Sequence, residues 1–434
     1  MFGYAIAAGL LVVAFTVASN GALSLFERLY EAEPLLVLAW TPAITVLVVW
    51  ATRRYFAGAA GSGIPQVLAT QDRALPPGLV HRLVSLRLAF AKVLLSTAGL
   101  VAGLSLGREG PSVQVAAGVM HHARRWLGPR SAIDDHALLV AGGAAGIAAA
   151  FNAPLAGVVF AIEEISRRLE SRSSGLIIAA IVLAGLVAVA VFGNVTYFGR
   201  IQIPRLGWDA LLPGLVVALA CGALGGLFSR LLANSLMRVA DAPSRWRARH
   251  PLRFAALGGL AVAAIGLASG GATFGAGSDA VKHMLAGNAD VPHFYVTLKL
   301  AATWLTAWCG VPGGIFAPSL SIGAGIGHNV AELAALAGLT RGDVAPALIA
   351  MGMAGFLAAV TQAPLTSFII VMEMVDGHPM VLSLMTVAMV ASLVSRMIAR
   401  PLYSTLAQHM VRTLLEPQPA AQPVSQDNER KALP

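Results

Sequence analysis

The sequence predicts an all-α polytopic membrane protein made of two inverted-topology repeats, with many tilted, broken and re-entrant helices. Three observations carry this. Of 434 residues, 57% are hydrophobic and only 12% charged, with a mean hydropathy of +0.74, whereas a soluble domain has about a quarter of its residues charged. Apolar stretches near the bilayer-spanning length of roughly 20 residues recur at residues 4–19, 34–50, 137–162, 175–193, 210–228, 257–270, 344–372 and 380–394. Two blocks of the first half also return in the second. Gly107-Arg-Glu-Gly-Pro-Ser-Val-Gln-Val-Ala-Ala-Gly118 pairs with Gly314-Ile-Phe-Ala-Pro-Ser-Leu-Ser-Ile-Gly-Ala-Gly325. With a one-residue slip, Ala145-Gly-Ile-Ala-Ala-Ala-Phe-Asn-Ala-Pro-Leu155 pairs with Ala354-Gly-Phe-Leu-Ala-Ala-Val-Thr-Gln-Ala-Pro-Leu365. Glu163 and Glu373 fall at the same distance after these blocks.

From the N-terminus, the first apolar run has no basic region before it and reads as a retained span rather than a signal peptide. The segment 27–33 is mostly acidic and reads as an outside loop. The positive charges collect at Arg53-Arg54, 73–92, Arg124-Arg125, 167–172 and 238–253, as cytoplasmic loops do. The net charge of +9 is therefore topological, and nucleic-acid binding is excluded. Odd and even spans cannot all be reconciled with these loops, which calls for re-entrant helices. Cys221 and Cys309 lie in apolar segments and read as buried thiols. Residues 1–415 form one transmembrane domain, with repeats at about 1–195 and 196–415. Residues 416–434 read as a polar, disordered cytoplasmic tail.

Three glycine-rich breaks interrupt the apolar sequence: Gly61-Ser-Gly-Ile-Pro65, Gly107-Arg-Glu-Gly-Pro111 and Gly313-Gly-Ile-Phe-Ala-Pro318. Proline suits the first turn of a helix, so each break reads as a loop followed by a helix N-terminus. Such an end carries about half a positive charge and free N–H donors. Three converging ends would hold an anion with partial charges, which also lets it leave. Glu109 adds a titratable carboxylate at membrane depth, the mark of an ion or proton pathway. Repeats with interrupted helices are a transporter signature, and the site is expected at mid-membrane where the halves meet.

These motifs, in order and joined by Tyr403, resemble the CLC family of chloride channels and chloride/proton antiporters over about residues 5–410. The resemblance implies roles. Ser62 and Tyr403 would offer hydroxyls to a central anion, and the backbone N–H groups at Ile315 and Phe316 would complete its cage. Glu109 would gate the outer side, competing with chloride as a carboxylate and swinging away when protonated. Glu164 would pass protons to the inside. Gly61, Gly63, Pro65, Gly107, Arg108, Gly110, Pro111, Gly314 and Pro318 would support the motifs. Ser62 matches chloride-selective members rather than nitrate-preferring ones. Gln66 and Leu68 depart from bacterial antiporters, which carry acids there. The resemblance further implies a homodimer with one pathway per subunit and no cofactor beyond the transported chloride and protons. The compact form suggests a bacterial inner membrane.

Read without the resemblance, Ser62 is a helix N-cap, Tyr403 an interfacial aromatic, and Arg108–Glu109 a buried ion pair. Glu163–Arg167 and Glu164–Arg168 are i,i+4 pairs at a helix end, and Glu373 is structural. A passive chloride channel of the same architecture is the alternative function, and another broken-helix solute transporter a distant one. An enzyme is not expected. Gly275-Ala-Gly-Ser-Asp279 has the wrong spacing for an aspartyl intramembrane protease. His121, His122 and His136 make no metal motif, and Gly323-Ala-Gly-Ile-Gly327 is no dinucleotide fingerprint.

Overall fold

The computed structural model describes residues 1–127, 133–166, 171–193, 195–201, 207, 210–237, 241–287, 291–340 and 344–416. The tail expected beyond Glu416 and the partners Arg167 and Arg168 fall outside these residues. No strand occurs among the described residues, only two isolated bridges.

Among the described residues eighteen α-helices follow in order. The first eight are α1 (Phe2–Ala32), α2 (Val37–Tyr55), α3 (Ile64–Ala69), α4 (Leu86–Val101), α5 (Glu109–His122), α6 (Asp135–Phe151), α7 (Pro154–Phe160) and α8 (Ser171–Phe192). Then come α9 (Leu211–Leu236), α10 (Ala242–Arg249), α11 (Pro251–Ala268), α12 (Ser278–Leu285) and α13 (Tyr295–Cys309). The last five are α14 (Phe316–Leu336), α15 (Ala345–Thr361), α16 (Pro364–Val375), α17 (Val381–Ile398) and α18 (Leu402–Leu415). Among the described residues seven helical segments are long and apolar enough to cross a membrane, and the shorter helices supply the broken elements.

The two centres of packing are α6 and α15. Every residue from Ala137 to Phe151 is buried, as is every residue from Ala347 to Thr361. Both helices are rich in Gly and Ala, which lets neighbours approach backbone to backbone. A Cβ on Gly146 would lie 2.5 Å from Ser112 O of α5, and one on Gly352 of α15 would strike Gly323 O of α14. Each motif helix is thus pressed against a smooth apolar partner.

Residues 137–162 and 344–372, read as single spans, are each broken in two. Asn152 (φ 54°) and Gln362 (φ 60°) turn the chain left-handed, and Pro154 and Pro364 then open α7 and α16. Proline disfavours the helical region for the residue before it, so Ala153 and Ala363 leave the helix and the chain restarts at an angle. Two other readings are corrected. The acidic segment 27–33 is mostly helical, because α1 runs on to Ala32. Lys92, counted with the loop cations, lies inside α4 and is fully buried.

Candidate functional site

Backbone hydrogen bonds stitch the three glycine breaks together. Gly107 and Gly314 each donate N–H to the other's carbonyl at 2.7 Å, and Gly313 N–H donates to Gly61 O at 3.0 Å. The N-termini of α3, α5 and α14 therefore meet. Glycine is required where they touch: Gly63 has φ 108°, and a Cβ there would sit 2.7 Å from Gly110 O. Two side chains hold the first break from behind. Lys92 Nζ donates to Ala59 O at 2.8 Å and Gly61 O at 2.5 Å. Gln66 accepts from Gly63 N–H at 3.0 Å and donates to Ala60 O at 2.5 Å. The residue standing where an acid was expected is thus a clip for its own loop.

Ser62 and Tyr403 are drawn to this junction from opposite ends of the chain. The two hydroxyls face each other, and among the described residues neither makes a hydrogen bond. Ser62 is therefore no N-cap, and Gly63 holds the N-cap position of α3. Tyr403 is 1% exposed, so it is no interfacial aromatic. Its ring stacks on Phe316 at 6.2 Å and 4°, and Phe316 also touches Phe151 and Phe160. Ile315 is the N-cap residue of α14 and Phe316 its first residue. Pro65, Pro111 and Pro318 all lie in first turns, as their fixed φ favours.

Glu109 opens α5 and is 1% exposed. The backbone N–H groups of Glu109, Ala317 and Arg108 lie against its carboxylate. A Cβ on Gly107 would collide with Glu109 Oε2. The carboxylate therefore sits between the N-termini of α5 and α14, where partial positive charge from both is available. Arg108 turns away from it. Its guanidinium donates to Asn20 Oδ1 at 2.5 Å and Tyr197 Oη at 3.3 Å, and lies over the Tyr197 ring.

Glu164 is 7% exposed, on a π-helical turn (Ala161–Ser166) that extends α7. Both Glu164 and Glu109 are close enough to act electrostatically on the Tyr403 phenol. The neighbouring Glu163 points elsewhere: it accepts from Leu365 N–H at 3.1 Å and Thr366 N–H at 2.6 Å, at the N-terminus of α16. Glu373 does the same for α7, accepting from Leu155 N–H at 3.2 Å and Ala156 N–H at 2.7 Å. Each repeat thus caps the other's broken helix.

The site therefore places two buried hydroxyls, three helix N-termini and two buried carboxylates in one region. Such a set can hold a small anion through partial charges and offers carboxylates on which protons can reside. Among the described residues no group of three or more His, Cys, Asp or Glu could hold a metal. Sequence reading missed Lys92, Phe151, Phe160, Asn20 and Tyr197. A lone lysine between two uncharged apolar stretches, 88–91 and 93–106, was the available signal for the first, and the repeated block 145–155 for Phe151; the others carry no motif.

The chain is similar to known proteins along most of its length. The family model described as "Voltage gated chloride channel" matches residues 44–396. The H(+)/Cl(-) exchange transporter ClcA of Citrobacter koseri is 31% identical over 426 residues, covering 94% of this chain and 86% of its own. That of Cronobacter sakazakii is 30% identical over 397 residues, covering 88% and 80%. Among solved structures, a slow cyanobacterial Cl-/H+ antiporter superposes with TM-score 0.82 at 24% identity, over 95% of this chain and 97% of that one. A CLC-type fluoride/proton antiporter gives 0.74 at 22%, over 93% and 96%. Both show the shared fold. With seven apolar helices and bacterial relatives, this is an integral multi-pass protein of the bacterial inner membrane. The glycine breaks knotted around Glu109, Ser62 and Tyr403 are thus the local form of a pattern that spans the chain, and the chain belongs to the voltage-gated chloride channel family.

Proposed function

We propose that this protein exchanges chloride for protons across the membrane, with each subunit of a homodimer carrying its own pathway between its two repeats. The observation that carries this reading is the pair of buried hydroxyls on Ser62 and Tyr403 without hydrogen-bond partners among the described residues, with the carboxylates of Glu109 and Glu164 near enough to act on the phenol. Unsatisfied buried hydroxyls are costly, and an anion between them would accept both protons. Ser62, Tyr403 and the backbone at Ile315 and Phe316 hold chloride. The Glu109 carboxylate occupies the outer anion position and competes with chloride for the helix ends. Protonation removes that competition, the side chain swings out, and chloride takes its place. Glu164 carries the proton to and from the inside. Chloride and proton binding should therefore favour each other by linkage.

Purified protein in liposomes, under a chloride gradient with chloride and proton electrodes, tests the reading. Uphill proton movement driven by chloride is expected. Chloride flux without proton movement would leave a passive channel, and absence of both fluxes would refute anion transport.

A further inference from the structure

One face of α1 is polar. Thr16, Ser19, Asn20 and Glu27 share it at helical spacing and line a cavity of about 370 Å³ that Arg108 and Glu109 also line. Thr16 is 4% exposed and Ser19 2%. Among the described residues neither hydroxyl has a hydrogen-bond partner. Thr45 and Thr52 in α2 instead bond the carbonyl four residues back, a common partner for a helical hydroxyl, although Ser96, Thr97, Thr306 and Ser392 also stand without one. Glu109 Oε2, in the same cavity, is also without a partner.

A carboxylic acid needs one acceptor for its O–H and one donor for its carbonyl, and two adjacent hydroxyls supply both. Arg108 is held by Asn20 and Tyr197, and Lys282 by Asp279 at 3.4 Å. Glu27 and Asp279 line the same cavity. We propose that Thr16 and Ser19 are positioning residues that receive the protonated Glu109 carboxyl when it leaves the helix junction. One hydroxyl accepts its proton in a hydrogen bond and the other donates to its carbonyl. Loss of the proton to vestibule water returns the carboxylate to the junction. This rests on the reading of Glu109 as the outer gate.

The test compares Thr16→Val with Ser19→Ala, together, in two backgrounds in liposomes. With Glu109 present, coupled chloride and proton flux should fall about tenfold, the worth of one buried hydrogen bond. The flux-against-pH curve should move to lower pH, because the protonated outward state has lost its stabilisation. Thr16→Ser, which keeps the hydroxyl, should restore most of the rate. With Glu109→Ala there is no carboxyl to receive, and the pair of substitutions should leave chloride flux as it is in Glu109→Ala alone. Equal slowing in both backgrounds would assign the hydroxyls to the anion or the fold and overturn the proposal, as would no slowing in either. Proton pumping by the unsubstituted protein is read separately, so failure of the exchange reading is recognised on its own.

Discussion

On the proposed reading the Glu109 carboxylate holds an anion position, and a single proton releases it. Glu109→Gln removes the charge and the titration together. It should abolish chloride-driven proton pumping while chloride flux persists, measured with the two electrodes. Lys92 makes a different contribution. Its ammonium holds Ala59 O and Gly61 O, and Gly61 O also accepts from Gly313 N–H. Lys92→Met keeps the stem's volume but leaves buried carbonyls short of a donor. It should lower unfolding stability in detergent by about 2–3 kcal/mol, as for other hydrogen bonds to charged groups, and weaken chloride binding measured by calorimetry. At this scale Ser62, Glu109 and Tyr403 were legible because motifs carried them. Lys92 was not, because charge counting assigns a cation near a basic segment to a loop.

The reciprocal caps act on helices α7 and α16. Each begins at an Ala-Pro step whose preceding helix has already ended, so its first N–H groups have no helical partner and need a carboxylate. Glu163 and Glu373 supply it across the repeat boundary. Because the two caps are chemically alike, Glu163→Gln and Glu373→Gln should cost similar stability, about 1–2 kcal/mol each, by detergent-phase unfolding. A large cost for one alone would show that the caps are not equivalent. Their equal distance after Ala-Pro-Leu was visible in the sequence, but their partners were not. Local spacing favours an i,i+4 pair with Arg167, whereas the bonds formed reach some two hundred positions away. The breaks at Asn152 and Gln362 were hidden for a related reason. Hydropathy windows see continuous apolar character across both segments and do not register a left-handed residue.

Across the whole molecule, ligand binding should be felt as stability. An anion that binds only the assembled junction stabilises the fold by about 2.7 kcal/mol at a hundredfold excess over its Kd. Melting temperature in detergent should therefore rise when chloride replaces a large impermeant anion, and Tyr403→Phe with Ser62→Ala should remove most of the rise. The all-helical membrane fold could be read from hydropathy and repetition alone, since bilayer length and alternating blocks leave few other arrangements. Which helix ends meet could not, because the Gly107–Gly314 and Gly61–Gly313 bonds join distant segments with no local trace. That distance matters during biosynthesis. The junction needs Gly61 and Glu109 from early in translation, Gly314 from much later and Tyr403 from the last described helix. A nascent chain emerging into the bilayer therefore has no finished conduit until nearly all of it has been made.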